Sequence, residues 1–176
     1  DRVLEAMNRQ YDSRFFKELI TEIKRLIPDA SLTTDIIAGF PSETPEEHEQ
    51  SLQFAAECSF SKIHVFPYSS RKGTRAVQLT PVVLPEVIKS RTEDFLKLAQ
   101  LAHQEYATSR IGKLESVFVE FRDREGLLSG YSDGYLRVYL NSSDTRLVES
   151  VVRVIPEALY LDGVIGRLAS TEFVNS

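Results

Sequence analysis

The stretch whose residue types and order best suit chemistry is Thr33–Thr44, TTDIIAGFPSET. An apolar run, Ile36-Ile37-Ala38, stops at Gly39. Phe40-Pro41-Ser42-Glu43 follows, and Thr44-Pro45-Glu46-Glu47 has the pattern of a helix start. A buried strand, a tight loop and a helix N-terminus make up the place where α/β proteins take ligands, because the first helical N–H groups lack partners and point there. A second group is basic. Arg71, Lys72 and Arg75 follow another apolar run, and the interval Ser61–Leu84 holds no acidic residue. A third pair, Tyr135 and Arg137, follows an Asp133-Gly134 turn. No carboxylate is obviously paired with Glu43 for acid–base work. Its expected role is to stabilise the helix after it, where a carboxylate gains a few tenths to about 1 kcal/mol from the dipole. His64 alternates with Ile63 and Val65, which predicts a packed, hydrogen-bonded histidine rather than a metal ligand. His48 and His103 fall on helical patterns and are expected to face solvent. Cys58, among Phe54, Ala55 and Phe60, reads as packing.

These residues need a scaffold. Asp1–Arg9 reads as a short helix or loop. Asp12–Ile27 predicts an amphipathic helix, with Phe15, Phe16, Leu19, Ile20, Ile23, Leu26 and Ile27 recurring at three and four, ended by Pro28. Ala30–Gly39 predicts a parallel strand covered on both faces. Thr44–Phe60 predicts a helix with a Thr44/Glu47 capping box and Pro45 at its first position. Ser61–Pro67, SKIHVFP, predicts a second strand. This α-β-α-β rhythm implies parallel strands and crossovers. Tyr68–Leu84 has no clear period. Pro85 to about Arg110 predicts a long helix bridging two domains. Beyond Gly112 the period becomes two. Lys113–Arg122, Leu127–Tyr131, Tyr135–Leu140, Val148–Ile155 and Leu159–Leu168 predict five strands, with turns at Asp123–Gly126, Ser132–Gly134, Asn141–Asp144 and Pro156-Glu157. Five short strands in about sixty residues suggest a small closed barrel of the OB type. The fold class is therefore α/β followed by all-β.

Composition narrows the class. The chain is 42% hydrophobic and 10% aromatic, enough for one good-sized domain or two small ones. Residues up to Arg110 carry 14 Lys/Arg against 16 Asp/Glu, and the remainder 7 against 10. Neither half is basic, so any nucleic-acid contact must rest on a local patch. A single cysteine excludes an intrachain disulfide and any cysteine-ligated metal or iron–sulfur site built from this chain alone. No apolar run approaches the ~20 residues of a membrane span, and DRVLEAMNRQ lacks a signal-peptide core. A soluble cytoplasmic protein is the expectation. A chain beginning with Asp is also expected to be a piece of something longer.

Four stretches in this order, DRVLEAMNRQY, TTDIIAGFPSET, FSKIHVFPYSSRKGT and GYSDGYLRVYL, resemble the C-terminal half of radical-SAM tRNA methylthiotransferases of the MiaB/MtaB-like family. The resemblance covers nearly the whole chain. It implies that residues 1–110 are the C-terminal part of a partial (β/α) radical-SAM barrel and residues 111–176 a TRAM domain. FSKIHVFPYS is most similar to the branch acting on N6-threonylcarbamoyladenosine at position 37 of tRNA. The family implies S-adenosylmethionine, cleaved at a [4Fe–4S] cluster held by three cysteines, with sulfur drawn from a second cluster region. This chain has none of those cysteines, so the fragment is expected to hold no catalytic residue, no metal and no bound cofactor, and to be inactive alone.

The resemblance also implies binding roles. A loose match to the adenine-lining strand motif carries over to Ile37 and Gly39, and the end of the next strand to Phe66, Pro67 and Tyr68; plain core strand is the competing reading for Ile37-Ala38-Gly39. Arg71, Lys72 and Arg75 become candidates for tRNA phosphates, and Tyr135 and Arg137 for RNA on the barrel, against ordinary exposed loop and strand residues. Two departures stand out. The family often has glycine where this chain has Ser42, and YSPRPGT where it has Tyr68–Thr74. The implied partner is a tRNA anticodon stem–loop. The alternatives are the isopentenyladenosine or ribosomal-protein branch, or a non-catalytic RNA-binding module. A half-barrel leaves a strand edge open, so dimerisation or aggregation of the fragment through that edge is expected.

Overall fold

The α-β-α-β rhythm is present in the computed structural model, which describes residues 1–169. The chain divides into two compact units, Asp1–His103 and Gln104 onward. In the first, α1 is Arg2–Ala6, α2 Ser13–Leu26, β1 Thr33–Ala38, α3 Pro45–Cys58, β2 Lys62–Pro67 and α4 Pro85–Arg110, whose last residues belong to the second unit. The starts follow local chemistry. The Asp12 carboxylate caps α2 by accepting from the Phe15 N–H at 2.7 Å. Thr44 and Glu47 form the reciprocal capping box of α3, with Pro45 at its first position. A single 3₁₀ turn, Arg75–Gln78, interrupts the unpatterned segment before α4.

β1 and β2 pair in parallel, with Asp35 beside His64 and Ile37 beside Phe66. One face of this two-stranded sheet packs on all three longer helices. Ile36, Ile63 and Val65 meet Phe16 and Ile20 of α2, Phe54 and Cys58 of α3, and Phe95, Leu98 and Ala102 of α4. The other face, Thr33, Asp35, Ile37, Lys62, His64 and Phe66, is exposed. The expectation of a strand covered on both faces is thus corrected: all the covering helices lie on one side. The apolar stripe of α2 is likewise only partly used. Ile20 is buried, but Phe15, Leu19, Leu26 and Ile27 stay exposed, because two strands are too narrow a surface to cover seven apolar positions.

The second unit is a closed barrel in the order β3-β4-β5-β7-β6, where β3 is Glu115–Arg122, β4 Leu128–Ser132, β5 Arg137–Leu140, β6 Val151–Tyr160 and β7 Gly163–Leu168. Among the described residues of this unit, only the β5–β7 pairing is parallel, which is the OB-like arrangement. Val117, Val119, Leu128, Val138, Leu140, Val154 and Val164 fill the interior, joined by Ala107 from the end of α4. A buried ion pair, Arg110 Nε to Glu115 Oε1 at 2.6 Å, ties that helix end to β3.

Two boundaries differ from expectation. Pro156-Glu157 is not a turn; β6 runs through it to Tyr160, and the chain reverses at Leu161-Asp162. The register slips between Pro156 and Ala158, and such an irregularity tolerates a residue with no N–H to give. Tyr135 is not in a strand; it closes the turn at φ +57, its N–H donating to the Ser132 carbonyl.

Gly130 of β4 makes the closest approach in the barrel: a Cβ there would overlap the Phe118 carbonyl and lie 2.8 Å from Val119 Cα. Backbone cannot yield as a side-chain tip does. Gly130→Ala is expected to destabilise the second unit by about 3 kcal/mol, read as loss of barrel signal in a thermal melt; an unchanged melt contradicts the packing.

Candidate functional site

The loop between β1 and α3 is built around a buried carboxylate. Glu43 accepts from Arg91 Nη1 of α4 at 2.6 Å, and the same nitrogen donates to the Glu43 backbone carbonyl at 3.0 Å. The Glu43 and Arg91 side chains are 4% and 7% exposed. Burial pushes the Glu43 carboxyl up from its ordinary range, while the Arg91 guanidinium and its hydrogen bond, His48 and the Gly39 amide oppose that. Gly39 turns at φ +73, with Ile88 of α4 behind it: a Cβ would lie 2.7 Å from Ile88 Cγ1. Ser42 stands at φ +66, so it occupies a left-handed position without glycine's freedom. It is held from two sides. Its N–H donates to the Pro81 carbonyl at 2.8 Å, and Arg2 of α1 donates to its carbonyl at 2.5 Å and to its hydroxyl at 3.1 Å while pairing with Glu47.

Beside this loop lie the strand-end residues. Ile37 and Phe66 are cross-strand neighbours on the uncovered face, 38% and 50% exposed. Pro67 lies opposite Ala38. The Tyr68 N–H donates to the Ala38 carbonyl at 2.9 Å, and its ring stands edge-on to Phe40 at 5.6 Å. An aliphatic side chain beside an exposed aromatic ring is a surface on which a flat heteroaromatic group can stack. Gly39 packs on α4, so its lack of a side chain has a structural cause. An iron–sulfur cluster does not fit this chain's residues. Cys58 is buried in the helix–sheet core, and among the described residues no three His, Cys, Asp or Glu side chains converge.

Arg71, Lys72 and Arg75 are exposed after β2, and their side chains make no ion pair or hydrogen bond among the described residues. Tyr135 and Arg137 are separate in character. Tyr135 projects from its turn, 78% exposed. Arg137 lies along the barrel wall, donating to Ser129 Oγ at 2.9 Å and Tyr131 Oη at 2.6 Å, with its Nε 3.6 Å from the Asp162 carboxylate. Tyr139 Oη donates to the same Asp162 at 2.6 Å; burial and that hydrogen bond push its phenol up to about 12.

The histidines depart from expectation. His64 is exposed on the uncovered sheet face, because its alternation points it away from the helices. His48 is buried, with Nε2 3.3 Å from Asp94 and its ring edge-on to Phe95. His103 is half-buried, its Nδ1 3.4 Å from the Ser61 carbonyl. Cys58 is buried, as expected. Glu43 pairs with a helix on the far side of the loop rather than serving the α3 N-terminus, a task that falls to Glu47. Arg91 carries the loop and was not anticipated. Its signal was a charge on an apolar stripe, since Ile88, Arg91, Phe95, Leu98 and Ala102 recur at three and four.

No family model matches the chain. Among curated proteins, the threonylcarbamoyladenosine tRNA methylthiotransferase MtaB of Bacillus subtilis is 32% identical over 156 residues, 86% of this chain and 34% of that protein. The protein of the same name from Thermotoga maritima is 36% identical over 138 residues, 78% and 32% of the two chains. A tRNA-2-methylthio-N(6)-dimethylallyladenosine synthase of Pelotomaculum thermopropionicum is 35% identical over 171 residues, 96% and 38%. The chain spans about a third of the length of these relatives.

Two outcomes follow from the loop. Glu43→Gln and Arg91→Met, each alone, are expected to cost about 3–5 kcal/mol in denaturant unfolding, since each strands a buried partner, and the double variant less than their sum; additive losses contradict the pairing. Ser42→Gly is expected to raise stability by about 1 kcal/mol through relief of the left-handed backbone, and a destabilised variant contradicts that strain.

Proposed function

We propose, because the chain belongs to the tRNA methylthiotransferase family, that it is the C-terminal part of an enzyme that methylthiolates N6-threonylcarbamoyladenosine at position 37 of tRNA. The match over 78–96% of the chain carries this reading. In it, residues 1–110 contribute the last strands of a radical-SAM partial barrel, and residues 111–169 are the described part of a TRAM domain. Dimethylallyladenosine relatives match at the same level, so identity does not choose the branch. The choice rests on the wording of β2, FSKIHVFPYS, and the second reading is the isopentenyladenosine branch.

S-adenosylmethionine, with [4Fe–4S] clusters held outside this chain, supplies the one-electron chemistry in the complete enzyme. The residues present here bind and orient. Ile37 and Phe66 offer an apolar wall at the strand ends, the Gly39–Glu43 loop fixes where that wall stops, and Pro67 and Tyr68 continue it. Without the cluster cysteines the fragment alone is inactive. Its uncovered sheet face and free strand edges give it a route to self-association. The site of action is cytoplasmic, and no helix among the described residues is long and apolar enough to cross a membrane.

Arg71, Lys72 and Arg75 meet phosphates of the anticodon stem–loop. Their exposure, without acidic partners, supports this. The test is the salt dependence of binding to that RNA by the chain and by an Arg71/Lys72/Arg75 triple alanine variant. The variant is expected to bind more weakly, with a salt slope smaller by about 2–3, as three lost phosphate contacts require. Equal affinity and slope remove the loop from the RNA path; no binding by either contradicts an RNA role for this part of the enzyme.

A further inference from the structure

The uncovered face of the two-stranded sheet is not uniform. Parallel pairing sets its six residues in three rows: Ile37 beside Phe66 at the strand ends, Asp35 beside His64 one step in, and Thr33 beside Lys62 beyond. Alternate residues of a strand lie about 6.5 Å apart, so each row meets a different depth below the strand ends. Only the first row is apolar. Asp35, His64 and Lys62 are exposed, and their side chains make no hydrogen bond or ion pair among the described residues. A carboxylate, an imidazole and an ammonium thus stand on one face, next to the apolar wall, with their hydrogen-bonding capacity unused.

The names of the relatives distinguish two adenosine substituents, threonylcarbamoyl and dimethylallyl. The first offers a urea-type carbonyl and N–H, a hydroxyl and a carboxylate. The second is a short branched hydrocarbon with no polar atom. On β2, the strand whose wording separates these branches, Ile63 and Val65 pack towards the helices, while Lys62, His64 and Phe66 face outward. Only the outward three are placed to meet a ligand, and two of them are polar. An ammonium pairs with a carboxylate. An imidazole N–H donates to a carbonyl, and a carboxylate such as that of Asp35 accepts from an N–H or a hydroxyl. A dimethylallyl group on the same row would strip water from three polar side chains and return no hydrogen bond.

We propose that Asp35, His64 and Lys62 are specificity-determining residues that read the N6 substituent of the substrate adenosine, accepting a threonylcarbamoyl group and rejecting a dimethylallyl one. The inference rests on the tRNA methylthiotransferase reading of the preceding subsection and deepens it. The branch choice made there on wording acquires a physical basis in three side chains. They meet the substituent and not the reacting carbon, so they govern which RNA is accepted rather than the chemical step.

The test uses the complete enzyme that carries this chain and three labelled anticodon stem–loop RNAs. They are identical except that position 37 holds adenosine, its threonylcarbamoyl derivative or its dimethylallyl derivative. The wild type is expected to bind the threonylcarbamoyl RNA about tenfold or more tightly than the other two, as paired charges and hydrogen bonds require. Lys62→Leu/His64→Leu is expected to lose that preference, with affinity for the unmodified RNA and the melting temperature unchanged, because both positions are exposed. Lys62→Arg keeps the charge and is expected to retain most of the preference, and Asp35→Leu to lose part of it. A preference intact in the double variant overturns the proposal and leaves the branch reading standing. An equal loss on all three RNAs also overturns it, as the mark of a phosphate contact, and so does a wild type with no preference. A wild-type preference for the dimethylallyl RNA overturns the branch reading and this proposal with it. Failure of the wild type to bind any of the three overturns the RNA reading itself.

Discussion

A carboxylate and a guanidinium, both withdrawn from water, hold the first unit in shape. Charges in that position are costly unless their geometry satisfies them, and here it does. One nitrogen of Arg91 serves both the carboxylate and the backbone carbonyl of Glu43. The pair joins the loop after β1 to a helix that starts more than forty residues later. With it in place, the loop accommodates two left-handed residues, Gly39 and Ser42, and β1 ends at a defined point. The strand-end wall of Ile37 and Phe66 is defined only because that point is fixed.

The second unit solves a different problem. Closing five short strands requires close backbone approach, and glycine at Gly130, Gly163 and Gly166 permits it, each position having a neighbouring strand's backbone where a Cβ would go. Closure leaves aliphatic residues inside and a polar, aromatic surface outside. Tyr139, Tyr160, Arg137 and Asp162 form one connected set there, with Tyr139 and Tyr160 edge-on at 5.0 Å. That surface is ordered by its own hydrogen bonds.

The legible parts of the chain were those punctuated locally. Pro85 set the start of α4, and Thr44, Pro45 and Glu47 set that of α3, because caps and prolines act within a turn of chain. The five barrel strands followed from a period of two. Pro156 misled, because a proline reads as a turn unless the partner strand's bulge is known. Arg91 and His48 were hidden for the same kind of reason: a polar residue on a helix is read as solvated until the element opposite it is known. The α2 stripe shows the converse. Periodicity reports which residues a helix can bury, not whether the described chain supplies anything to bury them. In the candidate site, Ile37 and Phe66 came from a resemblance, and their adjacency came from the parallel register.

The two units are ordered by separate means: an ion-paired loop at a strand end in the first, which also carries the basic loop, and close backbone approach around an aliphatic interior in the second. The most direct measurement is a two-dimensional NMR titration of the chain with an anticodon stem–loop RNA. The account predicts that amides of residues 69–75 shift, while interior residues such as Val119 and Leu128 stay still. Shifts confined to α2, or no shifts at saturating RNA, would contradict it.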